Sequence, residues 1–214
     1  MLELVYKHRS ERCVARLVGS SPTLGTMNFL IINNGTSSLN EVVSLLEKNS
    51  FEVFDFDDKN IPTNLSRFDG VILTGGHRLF LKENFDKFSR EMEIVSNSNL
   101  PIFGICFGFQ LISVVFGSKM IDLDNLEKGI FKIEKINNDF LFNNVNELNV
   151  YENHQKVITD VSDDLIVLAK SKNGVEIIKH KDKMIYGVQF HPELCLDETC
   201  GYKIFGNFLK EVSK

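Results

Sequence analysis

From Met27 onward the chain alternates short apolar runs with amphipathic stretches. Phe29-Leu30-Ile31-Ile32 is continuously apolar, as expected of a strand buried on both faces of a parallel sheet. The turn Asn33-Asn34-Gly35 follows it. A helix comes next, with Leu39, Val42, Val43 and Leu46 on one face and Ser38 and Glu41 at capping-box spacing. Further strands are predicted at Phe51–Phe54, Val71–Leu73 and Leu100–Ile105, and helices over Asn84–Ser96 and Phe109–Phe116. The pattern then changes. Gly129–Ile136, Glu147–Tyr151, Leu165–Lys170, Val175–His180 and Met184–Phe190 read as strands with few helices between, and a helix over Tyr202–Val212 closes the chain. Alternation followed by a strand-rich half predicts a single-domain α/β fold: a three-layer sandwich around a mostly parallel, mixed central sheet.

The first 26 residues follow neither period. Lys7, Arg9, Arg12 and Arg16 outnumber Glu3 and Glu11 there, and Gly19-Ser20-Ser21-Pro22-Thr23 is loop chemistry. Residues 1–26 are therefore expected to be a disordered or artefactual extension, with 27–214 as the folded unit. The whole chain of 214 residues fits one domain. Its 43% hydrophobic and 25% charged content excludes disordered and fibrous classes. No apolar run approaches the roughly 18 residues of a membrane span, so no membrane association is expected. A net charge of −5 argues against binding nucleic acid by phosphate neutralisation. Cys13, Cys106, Cys195 and Cys200 show no CxxC spacing, which reads as free thiols in a reducing, cytoplasmic compartment. Cys195 and Cys200 lack a nearby histidine and make a poor zinc signature. Neither a metal nor a cofactor is expected.

Three segments carry chemistry. Gly104-Ile105-Cys106-Phe107-Gly108 is a G-x-C-x-G turn between a predicted strand and a predicted helix, the cysteine form of a nucleophile elbow. Its glycines are expected to permit the strained turn. The sulfur is expected half-exposed at a helix N-terminus, where the dipole and free N–H groups favour thiolate. Tyr186-Gly187-Val188-Gln189-Phe190-His191-Pro192-Glu193 ends a strand at a histidine with a carboxylate two residues on. A thiol nucleophile needs a base, and the base needs an acceptor that fixes its tautomer. His191 and Glu193 supply both. Leu73-Thr74-Gly75-Gly76-His77 places a Gly-Gly pair at a strand end, where the Gly76 N–H, with that of Phe107, can face an oxyanion.

Thr74-Gly75-Gly76, Gly104–Gln110 and Gly187–Glu193 together resemble the class I (triad) glutamine amidotransferases, in order and spacing, over residues 27–214. The resemblance implies a flavodoxin-like fold and a Cys106–His191–Glu193 triad that hydrolyses the side-chain amide of L-glutamine through a γ-glutamyl thioester on Cys106. It implies an oxyanion hole at Gly76 and Phe107, and glutamine contacts from Gln110. Asn153 and Gln155 are weaker candidates, in a segment read as a substrate-facing loop at Glu152-Asn153-His154-Gln155. A stand-alone unit with this C-terminal run is similar to the glutaminase subunit of two-subunit GMP synthetases. That implies an ATP-pyrophosphatase synthetase partner receiving ammonia for GMP synthesis from XMP. Two departures stand out: His77-Arg78 where family members often have proline after Gly-Gly, and Asn-His-Gln-Lys where GMP synthetases usually carry Ser-His-Xaa-Asp. A free-standing γ-glutamyl hydrolase or peptidase, or the amidotransferase subunit of another pathway, would keep the same elbow and histidine.

Overall fold

The strand Asn28–Asn33 (β1) has its four central residues buried on alternating sides: Phe29 and Ile31 join one apolar cluster, Leu30 and Ile32 the other. That two-faced burial identifies the central layer of a three-layer structure. The computed structural model describes residues 26–76 and 84–214. The expected extension therefore lies almost wholly outside the described residues. After β1 come the helix Leu39–Ser44 (α1), the strands Ser50–Asp55 (β2) and Gly70–Leu73 (β3), and a 3₁₀ turn Phe85–Phe88 leading into the helix Ser89–Asn97 (α2). The strand Ile102–Ile105 (β4) and helix Phe107–Val115 (α3) follow, then the strands Lys119–Lys132 (β5) and Glu134–Lys135 (β6). Strands Asn149–Asp160 (β7), Leu165–Lys170 (β8), Val175–His180 (β9) and Ile185–Val188 (β10) precede the helix Gly201–Val212 (α4).

Eight strands form one sheet in the order β2-β1-β3-β4-β10-β9-β8-β6, parallel from β2 through β10 and antiparallel beyond. Phe205 and Phe208 of α4 and Val42 of α1 pack on one face; Ile94 and Val95 of α2 and Leu111 and Ile112 of α3 pack on the other. This is the mostly parallel mixed sheet and layered α/β architecture the pattern predicts. Among the described residues no helix is long and apolar enough to cross a membrane.

Three local expectations are corrected. Ser38 precedes α1 but its side chain makes no capping bond, so the Ser38–Glu41 capping box does not form; the Ser38 N–H instead donates to the Thr36 hydroxyl. The helix expected from Asn84 begins as 3₁₀ before α2. The segment Glu152–Gln155, read as a loop, lies inside β7, which pairs with β5 as a separate antiparallel ribbon.

Candidate active site

Strand order assembles the site. β3, β4 and β10 are adjacent and parallel, with Leu73 opposite Gly104 and Ile105 opposite Val188. Their C-terminal ends, which carry Gly75-Gly76, Cys106 and Gln189–Glu193, therefore emerge together at one edge of the sheet, where open α/β sheets bind ligands. Cys106 sits at φ 48, ψ −97, a region that costs a non-glycine residue roughly 1–3 kcal/mol and is held only by its surroundings. Its N–H donates to Val188 O at 2.8 Å and its carbonyl accepts from Gln110 N at 3.0 Å.

The glycines around it act differently from the expectation. Neither Gly104 nor Gly108 is among the residues with positive φ; Cys106 bears the strain. What the glycines permit is contact. A Cβ at 104 would lie 2.6 Å from Gly108 C, and one at 108 would lie 2.4 Å from Leu73 O. The absence of side chains lets α3 press onto β3 and β4, with Gly108 N donating to Thr74 O at 3.2 Å. Cys106 is also buried rather than half-exposed, at 5%. Gly75, His191 and Gln189 surround it: a Cβ at 75 would sit 3.7 Å from Cys106 Cβ and 3.1 Å from His191 Cε1.

His191 is fixed from two sides. Its N–H donates to Tyr151 O at 2.9 Å, and Nδ1 meets Glu193 Oε1 at 2.8 Å. With Nδ1 committed to the carboxylate, the other ring nitrogen is the one left to serve Cys106. Burial works against the imidazolium, but the Cys106 sulfur and the Glu193 carboxylate outweigh it and raise the His191 pKa to about 11. Both residues are nearly enclosed, His191 at 7% and Glu193 at 3% exposure. A thiol, an imidazole and a carboxylate are thus gathered at one edge of the sheet.

Of the remaining candidates, Phe107 heads α3, where the first N–H groups lack partners within the helix. Gly76 leaves β3 against Asn34, whose carbonyl a Cβ at 76 would meet at 2.3 Å. Gln110 is brought to the cysteine indirectly. Its Nε2 donates to Gln189 Oε1 (3.2 Å) and to Lys156 O (3.3 Å), while Gln189 Nε2 lies 3.7 Å from Cys106 Sγ. Asn153 and Gln155 are not brought in: their exposed side chains alternate with buried Glu152 and His154 along β7, and Gln155 bonds Leu123 O. His77 and Arg78 lie outside the described residues.

Sequence reasoning passed over two supports. Gln189 is fully buried and its amide lies 3.7 Å from the Cys106 sulfur; its place two residues before His191, at the end of the predicted strand, was the available signal. The second is the latch under Gly75-Gly76. Thr74 Oγ1 accepts from Asn34 N at 2.9 Å and donates to Gly75 O, and Asn34 Nδ2 donates to Thr74 O and to the buried Glu91. Nothing in the sequence pattern links these three segments.

The family model for glutamine amidotransferase class-I matches residues 30–212. A glutamine-hydrolyzing GMP synthase subunit from Methanococcus maripaludis strain C5 is 35% identical over 192 residues, covering 85% of this chain and 95% of that one. Its counterpart from Methanococcus vannielii is 41% identical over 143 residues, covering 66% and 72%. The crystal structure of a GMP synthase subunit protein from Thermoplasma acidophilum superposes with a TM-score of 0.78 at 28% identity, over 87% of this chain and 94% of that one. With a strained cysteine, a carboxylate-bound histidine and a Gly-Gly turn at one sheet edge, the chain belongs to the class-I glutamine amidotransferases.

Proposed function

We propose that Cys106 is the nucleophile of this amidotransferase, with His191 as its acid–base partner and Glu193 as the group that orients the ring. We further propose that the chain is the glutamine-hydrolysing subunit of a two-subunit GMP synthetase. The supporting observation is the pairing of a strained, buried cysteine with a histidine whose proton the cysteine and glutamate together stabilise. In this reading the sulfur attacks the side-chain amide carbon of glutamine. The C–N bond breaks as His191 gives its proton to the departing ammonia, leaving a γ-glutamyl thioester. His191 then takes a proton from water, which attacks the thioester and releases glutamate. The N–H groups of Gly76 and Phe107 hold the oxyanion in both steps. Gln110 is the assigned glutamine contact. Asn153 and Gln155 would reach the substrate only through their main chain, given where their side chains point.

The pathway rests on the relatives, which are named as glutamine-hydrolyzing subunits of GMP synthase and match this chain over most of their own length. The partner would be an ATP-pyrophosphatase synthetase that passes the ammonia to XMP. The test is steady-state glutamate release by the chain, with and without that synthetase, ATP and XMP. Loss of one oxyanion donor costs roughly 10²–10³ in turnover, so an unassembled hole predicts low basal activity that rises at least about tenfold on assembly. Full activity in isolation, unchanged by the partner, would transfer the reading to a free-standing γ-glutamyl hydrolase.

A further inference from the structure

Behind the catalytic residues lies a second buried cluster that the hydrolysis does not use. Glu152 and His154 occupy alternate positions on β7 and so point the same way; Glu176 reaches them from β9. All three are buried, at 2%, 5% and 1% exposure. Each offers a ligand atom, and those atoms lie within 4.8 Å of one another. His154 Nε2 is 3.0 Å from Glu152 Oε2 and 3.8 Å from Glu127 Oε2. Glu127's other oxygen accepts from Asn173 Nδ2, and Ser171 bonds Glu176.

The cluster is under-satisfied. Both carboxylate oxygens of Glu152, both ring nitrogens of His154 and Glu176 Oε2 are buried and lack a hydrogen bond of good geometry, five of the ten such atoms among the described residues; the contacts they do make are with one another, Glu152 with Glu176 and with His154, and from His154 to the Lys156 main chain. Buried carboxylates are normally paired with a cation or bound to a metal. Here no lysine or arginine among the described residues forms an ion pair with Glu127, Glu152 or Glu176. A cavity of about 360 Å³ reaches Glu127, Glu152 and Glu176, with the exposed Lys132, Lys170 and Lys172 also on its wall. A route for an ion is therefore present.

We propose that Glu152, His154 and Glu176, joined by Glu127 Oε2, form a binding site for a first-row divalent cation of the zinc or manganese class. The donor set decides the class. One imidazole with carboxylates and no thiolate suits zinc, manganese or ferrous iron, whereas magnesium and calcium prefer oxygen alone. The size fits: ligand atoms about 2.1 Å from a common ion are at most about 4.2 Å apart, so the present spread closes with side-chain shifts under about 1 Å.

The site is coupled to catalysis through the backbone. Tyr151 O, adjacent to Glu152, accepts from His191 N, and Glu176 O accepts from Gln189 N at 2.8 Å. An ion bridging Glu152 and Glu176 would tie the β5–β7 ribbon to the central sheet and clamp both anchors of the Gln189–Glu193 segment.

The test uses the full chain with Cys106→Ala, so that the active-site thiol cannot hold metal. The protein is stripped with a chelator, reloaded separately with Zn²⁺, Mn²⁺ and Mg²⁺, dialysed, and assayed for bound metal and thermal midpoint. The expected result is about one equivalent of Zn²⁺ or Mn²⁺ retained with a raised midpoint, and no such retention of Mg²⁺. Co²⁺ should give a visible d–d spectrum without thiolate charge transfer. The isosteric Glu152→Gln and Glu176→Gln, checked for folding by circular dichroism, should weaken binding at least about tenfold, since loss of even a supporting partner costs 10–100-fold. Failure of the parent chain to retain an equivalent would overturn the site, as would retention undiminished by both substitutions or a cobalt spectrum dominated by thiolate. A carboxyl pair sharing a proton, the competing explanation, gives the first of these outcomes.

Discussion

Cys106 combines three unfavourable features in one residue: positive φ, burial, and a sulfur that must ionise. The fold tolerates them because Val188 and Gln110 fix its peptide groups and His191 lies beside the sulfur. Cys106→Ala keeps the same backbone demand and removes only the sulfur. It is expected to leave the circular dichroism spectrum and thermal midpoint nearly unchanged while lowering glutamate release at least about 10³-fold, the scale set by loss of a triad nucleophile. A variant that retains normal turnover would refute the assignment. Gln189 is a positioning residue with its own signature. Its amide is the donor at 3.7 Å from the sulfur, and a hydrogen bond to a charged group contributes about 1.5–3 kcal/mol. Gln189→Ala should therefore lower kcat/KM by about 10–100-fold and slow alkylation of the Cys106 thiol by a small electrophile at fixed pH. Alkylation at the parent rate would reduce Gln189 to a packing role.

At the scale of elements, the elbow at Cys106 was legible because its constraints are local. Two glycines four residues apart report where a helix crosses a strand end, and the structure agrees on the place while reversing their role. The strand β10 was legible too, as an apolar run that leads to His191. The β5–β7 ribbon was not. Glu152 and His154 fill the buried face of β7 and Asn153 and Gln155 the exposed one, so the period of two is intact but polarity no longer marks the inside. The first half of β5 is mostly exposed and shows no apolar face to read. Glu91 on α2 was equally silent, because its partner Asn34 is 57 residues away. Burial raises the Glu91 carboxyl to about 8 from an ordinary 4.5, against the opposing bond from Asn34. The fold therefore binds more protons than the unfolded chain between those values. The stability this group contributes is full below about pH 4.5 and is lost as pH rises toward about 8. Glu91→Gln should accordingly unfold at a higher temperature than the parent at pH 8 and at nearly the same temperature at pH 4.5, by scanning calorimetry across that interval. Parallel midpoint curves would show that Glu91 ionises in the fold without penalty.

For the whole molecule, the sheet order is what turns three separated motifs into one site. β3, β4 and β10 are neighbours only because the chain crosses over twice and returns after more than 70 residues, and single-residue pattern could indicate each strand without indicating that adjacency. The family resemblance supplied what the pattern could not. On this assembled edge, we propose, Cys106 is the group that attacks a glutamine amide. The most direct measurement is the intact mass of the chain after exposure to a glutamine-analogue electrophile, followed by peptide mapping. A single adduct is expected, on Cys106, whose formation slows when glutamine is present and is abolished by His191→Ala. An adduct on Cys13, Cys195 or Cys200 instead, or labelling of Cys106 that glutamine does not slow, would contradict it.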